Sequence, residues 1–233
     1  MRNFNFDISS RSYAPYSNRI EHCHVLGKSG LIYPGVRIEN SSFPLTIPAE
    51  QAAVCSCLGN RDQPIAIVQN DSEKKVSDFW IQSFDLKWIK RVPENSSLYE
   101  PLIDTTENVV DQLKNLSKIA VSDKSGFPVA ALLNVSNGFI PGVNIEFEEW
   151  NLGLCAERVA LSRAVASGYK EFSGMHIYAP NSEYISPCGA CRQVLIELMP
   201  DQMVDLHHNE DSQSRHFVSH LLPNGFTPNS LKR

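Results

Sequence analysis

The sequence predicts an α/β chain built as two tandem three-layer α/β/α units, each a mixed sheet with helices on both faces. Three observations predict it. Short apolar runs such as Ile65-Ala66-Ile67-Val68 alternate with stretches of helical periodicity. Two motifs then recur: Pro34-Gly35-Val36-Arg37-Ile38-Glu39 returns as Pro141-Gly142-Val143-Asn144-Ile145-Glu146, and Pro48-Ala49-Glu50-Gln51-Ala52-Ala53 returns as Cys155-Ala156-Glu157-Arg158-Val159-Ala160. Finally, the offset does not drift, because 142 − 35, 146 − 39 and 157 − 50 all equal 107. One offset held across two separated segments marks two copies of one fold.

The first copy spans 1–95. Gly30 to Gly35 reads as a strand entering a turn, with an extended segment through Val36 and Ile38 beyond it. Ala49 to Leu58 predicts a helix ended by Gly59. Ile65 to Val68 is a short buried strand, whereas Asp85 to Ile89 fits strand and helix equally well. Pro93-Glu94-Asn95-Ser96-Ser97 breaks the pattern, and 96–106 is assigned as a linker. The second copy, 107–233, opens with a helix from about Glu107 to Val121. Val109, Val110, Leu113, Leu116, Ile119 and Ala120 share one of its faces, and Thr106 is its candidate cap. Strands follow at Pro128–Val135 and Phe139–Ile145. A helix runs from Cys155 to about Gly168, a strand spans Met175–Ala179, and another helix starts at Cys188. Met203–Leu206 is expected to close the sheet.

Composition removes several classes of function. The formal net charge is −5 and no Lys/Arg run is visible, which argues against a partner made of nucleic acid, whose phosphates need a basic face. No apolar run approaches the roughly 20 residues of a membrane helix. The segment Met1 to Asp7 has no apolar core of the secretory kind. With six cysteines in a mid-sized chain of this type, reduced thiols or metal ligands are expected over disulfides, and a cytoplasmic location with them.

The chemistry concentrates in Cys155-Ala156-Glu157-Arg158 and Pro187-Cys188-Gly189-Ala190-Cys191. Each cysteine falls in the first turn of a predicted helix, where unpaired N–H groups and the helix dipole favour a thiolate. The spacing of Cys188 and Cys191 puts both sulfurs on one side of that turn. Three thiolates can hold Zn²⁺ and leave its fourth position to water, with Glu157 two residues from a ligand as the proton shuttle. This ligand-and-glutamate set is the one known for zinc deaminases. Arg158 is expected to donate to the thiolates and offset their excess charge, and Pro187 to stiffen the approach to the ligand helix. The alternative is a structural zinc site closed by His176, His207 or His208, or a redox pair.

On these residues the second half resembles the cytidine deaminase family, zinc hydrolases that convert cytidine and deoxycytidine to uridine products with release of ammonia. The resemblance also takes in Gly126-Phe127-Pro128-Val129-Ala130-Ala131-Leu132-Leu133 and Gly142-Val143-Asn144-Ile145-Glu146. It implies that Asn144 and Glu146 bind the ribose hydroxyl and that Phe127 packs on the nucleoside, with Ala156 among the substrate contacts. It also implies a pyrimidine-salvage enzyme whose zinc-bound hydroxide attacks the base. Two departures stand out, Ala130 where many members have Gly and the loop Phe147 to Leu154, and they leave open another aminated nucleoside or heterocycle as substrate. A non-catalytic, zinc-stabilised scaffold of the same fold is the alternative outside enzymes.

At the offset of 107 the first copy has Pro48 for Cys155, Ile81 and Phe84 near Cys188 and Cys191, and Arg37 for Asn144. It is a deaminase-like unit without a metal site, so one Zn²⁺ per chain is expected. Asn144-Ile145-Glu146-Phe147 and the tail His220 to Pro228 are similar to the two-domain, dimeric branch of the family. That branch normally places its catalytic copy first, so the order here is swapped. The resemblance implies a homodimer of four deaminase-like units acting on a small nucleoside.

Overall fold

The repeat in the sequence recurs in space as two sheets that share the order of four strands, with a fifth added at opposite edges. The computed structural model describes residues 1–3, 6–68, 78–104, 108–208 and 212–231. In chain order the elements are β1 (Arg2–Asn3), β2 (His22–Gly27), β3 (Leu31–Val36), α1 (Ala49–Leu58), β4 (Pro64–Val68), α2 (Asp78–Phe84), β5 (Lys87–Ile89), β6 (Arg91–Val92) and β7 (Ser97–Leu98). The second half continues with α3 (Val109–Ser117), β8 (Ala130–Val135), β9 (Gly138–Val143), α4 (Ala156–Ser167), β10 (Gly174–Tyr178), α5 (Gly189–Leu198), β11 (Met203–His207), β12 (Gln213–Phe217) and α6 (Val218–Leu221). One sheet runs β5-β4-β2-β3-β7 and the other β12-β11-β10-β8-β9. In each, an antiparallel pair (β2 with β3, β8 with β9) lies beside a parallel pair (β4 with β5, β10 with β11). The fold is α/β with two mixed sheets, as the alternation of elements predicts.

Several boundaries differ from expectation. Pro34 and Gly35 lie inside β3 rather than in a turn. Asp85–Ile89 resolves into β5, parallel to β4. Residues Met203–Leu206 do not close the sheet, because β12 adds antiparallel outside β11, with Met203 opposite Phe217. The helix expected over 107–121 is shorter and is capped by Asn108, whose side chain accepts from the Asp111 N–H. Thr106 and Glu107 lie outside the described residues. Within the assigned linker, Ser97–Leu98 pairs with β3 while Ile103 bridges Phe139 of the other sheet.

Helices α1 and α4 are buried together with most of their polar residues, Gln51, Ser56, Glu157, Arg158, Ser162 and Arg163. Almost every side chain of both is buried, as expected of helices covered on more than one side. The repeated Pro-Gly-Val motif is the reason they can approach so closely. A Cβ on Gly142 would lie 2.1 Å from the Ala156 carbonyl oxygen and 2.9 Å from the Ala160 Cβ; one on Gly35 would lie 2.2 Å from the Ala49 oxygen and 2.9 Å from the Ala53 Cβ. Each glycine is therefore the seat of its helix on its strand.

The copies face each other across a pseudo-two-fold axis, and three contacts define it. Gln51 Nε2 donates to the Leu152 carbonyl at 2.9 Å, and Arg158 Nη2 donates to the Leu45 carbonyl at 3.2 Å. These two contacts are images of one another, since 51 + 107 = 158 and 45 + 107 = 152. On the axis Arg163 meets its own equivalent, Ser56, donating from Nε to Oγ at 3.1 Å and from Nη2 to the carbonyl at 2.7 Å. This is isologous contact within one chain. A single apolar core runs through it, joining Ile8, Ile38, Ile47, Ala52 and Cys55 to the core of the second copy.

Replacing Gly142 with Ala puts a methyl into backbone and should destabilise the protein by roughly 1–3 kcal/mol, the range for overpacking. Chemical denaturation of Gly142→Ala beside wild type measures it, and an unchanged midpoint contradicts the seating role.

Candidate metal centre and active site

Helix starts bring the three cysteines together. Cys155 is the N-cap of α4 and Cys188 the N-cap of α5, both with extended backbone, and Cys191 lies in the first turn of α5. Their sulfurs all fall within 4.8 Å of one another, with Cys155 Sγ 3.6 Å from Cys188 Sγ. Tetrahedral zinc with bonds of about 2.3 Å needs sulfur separations of about 3.8 Å, so this donor set fits zinc. Cys188 is exposed, Cys155 half-buried and Cys191 buried, which leaves the trio one open side. Hydrogen bonds from the Cys155 and Cys191 thiols, and from the N–H groups of Cys191 and Ala190, hold Cys188 far below the usual thiol range. The same sharing with Cys188 pushes Cys155 up, and sharing with Cys155 and Cys188 pushes Cys191 up. The N–H groups of Ala190 and Cys191 in this first turn thus favour negative charge on Cys188.

Among the described residues no histidine joins the trio. His208 takes the Ile185 N–H on Nδ1 at 3.1 Å and has Nε2 2.8 Å from Ser214 Oγ. His176 Nδ1 lies 3.2 Å from His207 Nε2, beside Asp205. None of the six cysteines is joined in a disulfide.

Glu157 is 3% exposed, and burial pushes its carboxyl up to about 7, with the negative Cys188 adding to the shift. Arg158 is spent differently from expectation: its hydrogen bond goes to Leu45 of the first copy, while its buried Nε has no hydrogen-bond partner. Pro187 accepts from Arg192 Nε at 2.8 Å, and Ser186 Oγ accepts from Arg192 Nη2, which fixes the approach to α5. Ala156 is fully buried in the first turn of α4.

The second cluster lies one loop away. Ile145 and Leu154 exchange backbone hydrogen bonds at 2.8 and 3.0 Å, pinning Glu146 and Cys155 at the two ends of the loop between them. Glu146 accepts from the Ser125 N–H at 3.0 Å, the Ser125 hydroxyl at 2.6 Å and Asn144 Nδ2 at 3.2 Å. Asn144 also donates to the Phe127 carbonyl and accepts from the Val129 N–H, so it braces this corner. Phe127 is 39% exposed, which rules out plain core packing. Asn181 Nδ2 ties the loop before β8 to the segment after β10 through the Gly126 carbonyl at 2.8 Å. Sequence reasoning missed Ser125. Its equivalent, Ser17, clamps Glu39 in the first copy the same way, but 125 − 17 = 108, one residue off the offset that exposed the repeat.

In the first copy Pro48 caps α1 where Cys155 caps α4. The helix between β4 and β5, as α5 lies between β10 and β11, is α2, and three of its seven side chains are aromatic. Trp80 is 2% exposed, stacks with Phe84 at 6.4 Å and meets Phe147 of the second copy edge-on at 5.4 Å.

Three thiols and a buried glutamate at paired helix starts define a zinc-dependent hydrolase of the deaminase kind. Residues 103–206 match the family model described as the cytidine and deoxycytidylate deaminase zinc-binding region. A cytidine deaminase of Sporosarcina psychrophila is 34% identical over 130 residues, covering 54% of this chain and 93% of that protein. A blasticidin-S deaminase of Bacillus cereus is 29% identical over 43% of this chain and 76% of its own length. A crystal structure of cytidine deaminase from Burkholderia pseudomallei, 34% identical, covers 51% of this chain and 96% of its own, with a TM-score of 0.48. The chain belongs to the cytidine deaminase family and is a zinc-dependent enzyme.

Purified protein should carry about one zinc per chain by elemental analysis, and Cys191→Ser should lose most of it. Two zinc ions per chain would mean that the first copy also binds metal.

Proposed function

We propose that this protein deaminates cytidine and deoxycytidine to uridine and deoxyuridine, releasing ammonia. The observation that carries the proposal is the burial of Glu157 beside three thiols gathered within 4.8 Å. Cys155, Cys188 and Cys191 would hold the zinc. Bound there, zinc supplies Lewis acidity and makes water a nucleophile at neutral pH. Glu157 takes the proton that water gives up, passes it to ring N3 of the base, and later protonates the departing 4-amino group. Its buried setting excludes bulk water from that carboxylate. Glu146, held by Ser125 and Asn144, receives the sugar hydroxyls, and half-exposed Phe127 lies against the nucleoside. Water and cytidine balance uridine and ammonia, with no other reactant.

The likeness to a blasticidin-S deaminase supports a second arm, an aminated nucleoside antibiotic as substrate. The loop Phe147 to Leu154, rooted in the first copy through Phe147, is where such selectivity would arise. We assign residues 1–95 as a copy without catalysis, 96–106 as a linker and 107–233 as the catalytic unit, in a cytoplasmic enzyme of pyrimidine salvage. No helix among the described residues is long and apolar enough to cross a membrane.

A homodimer is supported by two aromatics at equivalent positions of two 3-10 turns. Phe43 is 83% and Trp150 71% exposed, and 43 + 107 = 150. Rings this exposed at matched sites suit a second copy of the chain. Sedimentation should give a dimer mass that falls toward monomer in Phe43→Ser/Trp150→Ser; a wild-type monomer at assay concentration contradicts the assignment.

The central test follows ultraviolet absorbance as cytidine, deoxycytidine or blasticidin S is added to zinc-loaded protein. Glu157→Gln should keep its zinc and lose at least about 1,000-fold in kcat, at the upper end for losing an acid–base group. Wild-type protein inert toward all three substrates would sink the proposal, and an active Glu157→Gln would remove the assigned role.

A further inference from the structure

The metal-bearing helix α5 is gripped from outside its own copy. Glu197, on the last turn of α5, accepts three hydrogen bonds, all from the first copy. Tyr16 Oη donates at 2.6 Å and Tyr13 Oη at 3.2 Å, both to Oε1, and the Ser41 N–H donates to Oε2 at 2.6 Å. Burial and the adjacent Glu197 push the Tyr13 hydroxyl up to about 12, and Tyr16 moves the same way, so both remain protonated donors at neutral pH. Their own positions are well braced. The Glu39 carboxylate takes the N–H groups of Tyr16 and Ser17 at 3.0 and 3.1 Å, and the Glu39 N–H returns to the Tyr13 carbonyl at 2.7 Å. A further contact runs from Asn40 Nδ2 to the Gln193 carbonyl, one turn nearer the ligands.

The turn making this grip is the counterpart of the one that carries Ser125 and Glu146 in the catalytic copy. Across the pseudo-two-fold the relation is reciprocal but chemically different, since Phe147 of the catalytic loop seats among Phe79, Trp80 and Phe84 of α2. A carboxylate and two phenols fix donor and acceptor directions in a way that an apolar contact does not. The helix between Glu197 and Cys191 is continuous, so rotation or sliding at one end is carried to the other.

We propose that Glu197 is a positioning residue for the metal centre, and that the non-catalytic copy holds Cys188 and Cys191 in register by gripping α5 through Tyr13, Tyr16 and Ser41. The first copy is then a working part of the zinc site that contributes no ligand to it. The proposal rests on the zinc assignment above, so its test reads metal retention rather than turnover.

The experiment measures transfer of zinc from the full-length, zinc-loaded protein to a colorimetric chelator. Glu197→Gln, and separately the pair Tyr13→Phe/Tyr16→Phe, should each release zinc about ten-fold faster than wild type, the lower end of the loss seen when groups outside the ligand set are removed. The triple variant should be no faster than either, because all three side chains act through one contact. Arg61→Ala is the control. Its guanidinium joins the copies elsewhere, at the Lys118 and Ala120 carbonyls, and its loss should lower the melting temperature without speeding zinc release. Should Glu197→Gln prove too unstable to purify, the single Tyr16→Phe, which removes the 2.6 Å hydrogen bond to Glu197, serves with the same expected direction. Zinc release within two-fold of wild type in the Glu197 and tyrosine variants overturns the proposal, as does an equal acceleration in Arg61→Ala. A wild-type protein that binds no zinc would instead overturn the metal assignment itself.

Discussion

The contact of α1 with α4 around Arg163 and Ser56 is the constraint on which the rest of the molecule depends. Burying a guanidinium costs several kcal/mol unless its hydrogens are taken up. Here Nε finds Ser56 Oγ, Nη2 the Ser56 carbonyl and Nη1 the Pro141 carbonyl, and the Tyr99 ring lies 5.2 Å from the guanidinium carbon. Two arginines facing each other on that axis would have two charges and one set of acceptors. A serine opposite an arginine resolves the conflict, so the two copies complement one another and neither complements itself. The glycine seats at Gly35 and Gly142 work to the same end, letting each helix sit low enough for the pair to meet.

From that pairing follows a division of labour. Helix α4 starts at Cys155 and carries Glu157 in its first turn, and α5 starts at Cys188; both are held partly by residues of the first copy. The first copy has Pro48 where Cys155 stands in the second, and its α2 packs Trp80 against Phe84. Those rings also seat Phe147, so the loop beside Glu146 is anchored in the first copy.

Much of the architecture was legible because local patterns carry it. The helix over Ala49–Leu58, the helix following Cys155 with its left-handed Gly168 stop, and the helix following Cys188 all fall where the sequence puts them. Strand edges were harder. Pro34-Gly35 reads locally as a turn, but as part of β3 it supplies the close approach that α1 requires, a demand set by a helix in another part of the chain. β12 was not anticipated, since Gln213-Ser214-Arg215-His216-Phe217 is polar on both faces and reads as an exposed segment until β11 lies beside it. Ser125 escaped because a one-residue shift separates it from its counterpart.

The sequence by itself determined that the chain is a duplication with one metal kit, since identities at a constant offset and the Cys-x-Glu and Cys-x-x-Cys spacings are properties of order along the chain. Only the tertiary structure decided what Arg158, Glu197 and Phe147 do. Each reaches into the other copy, and the partners that capture them, Leu45, Tyr13, Tyr16 and Trp80, are more than 60 residues away along the chain. Spacing encodes which side chains share a helix turn; it holds no record of which carbonyl, hydroxyl or ring a folded partner will bring within 3 to 6 Å.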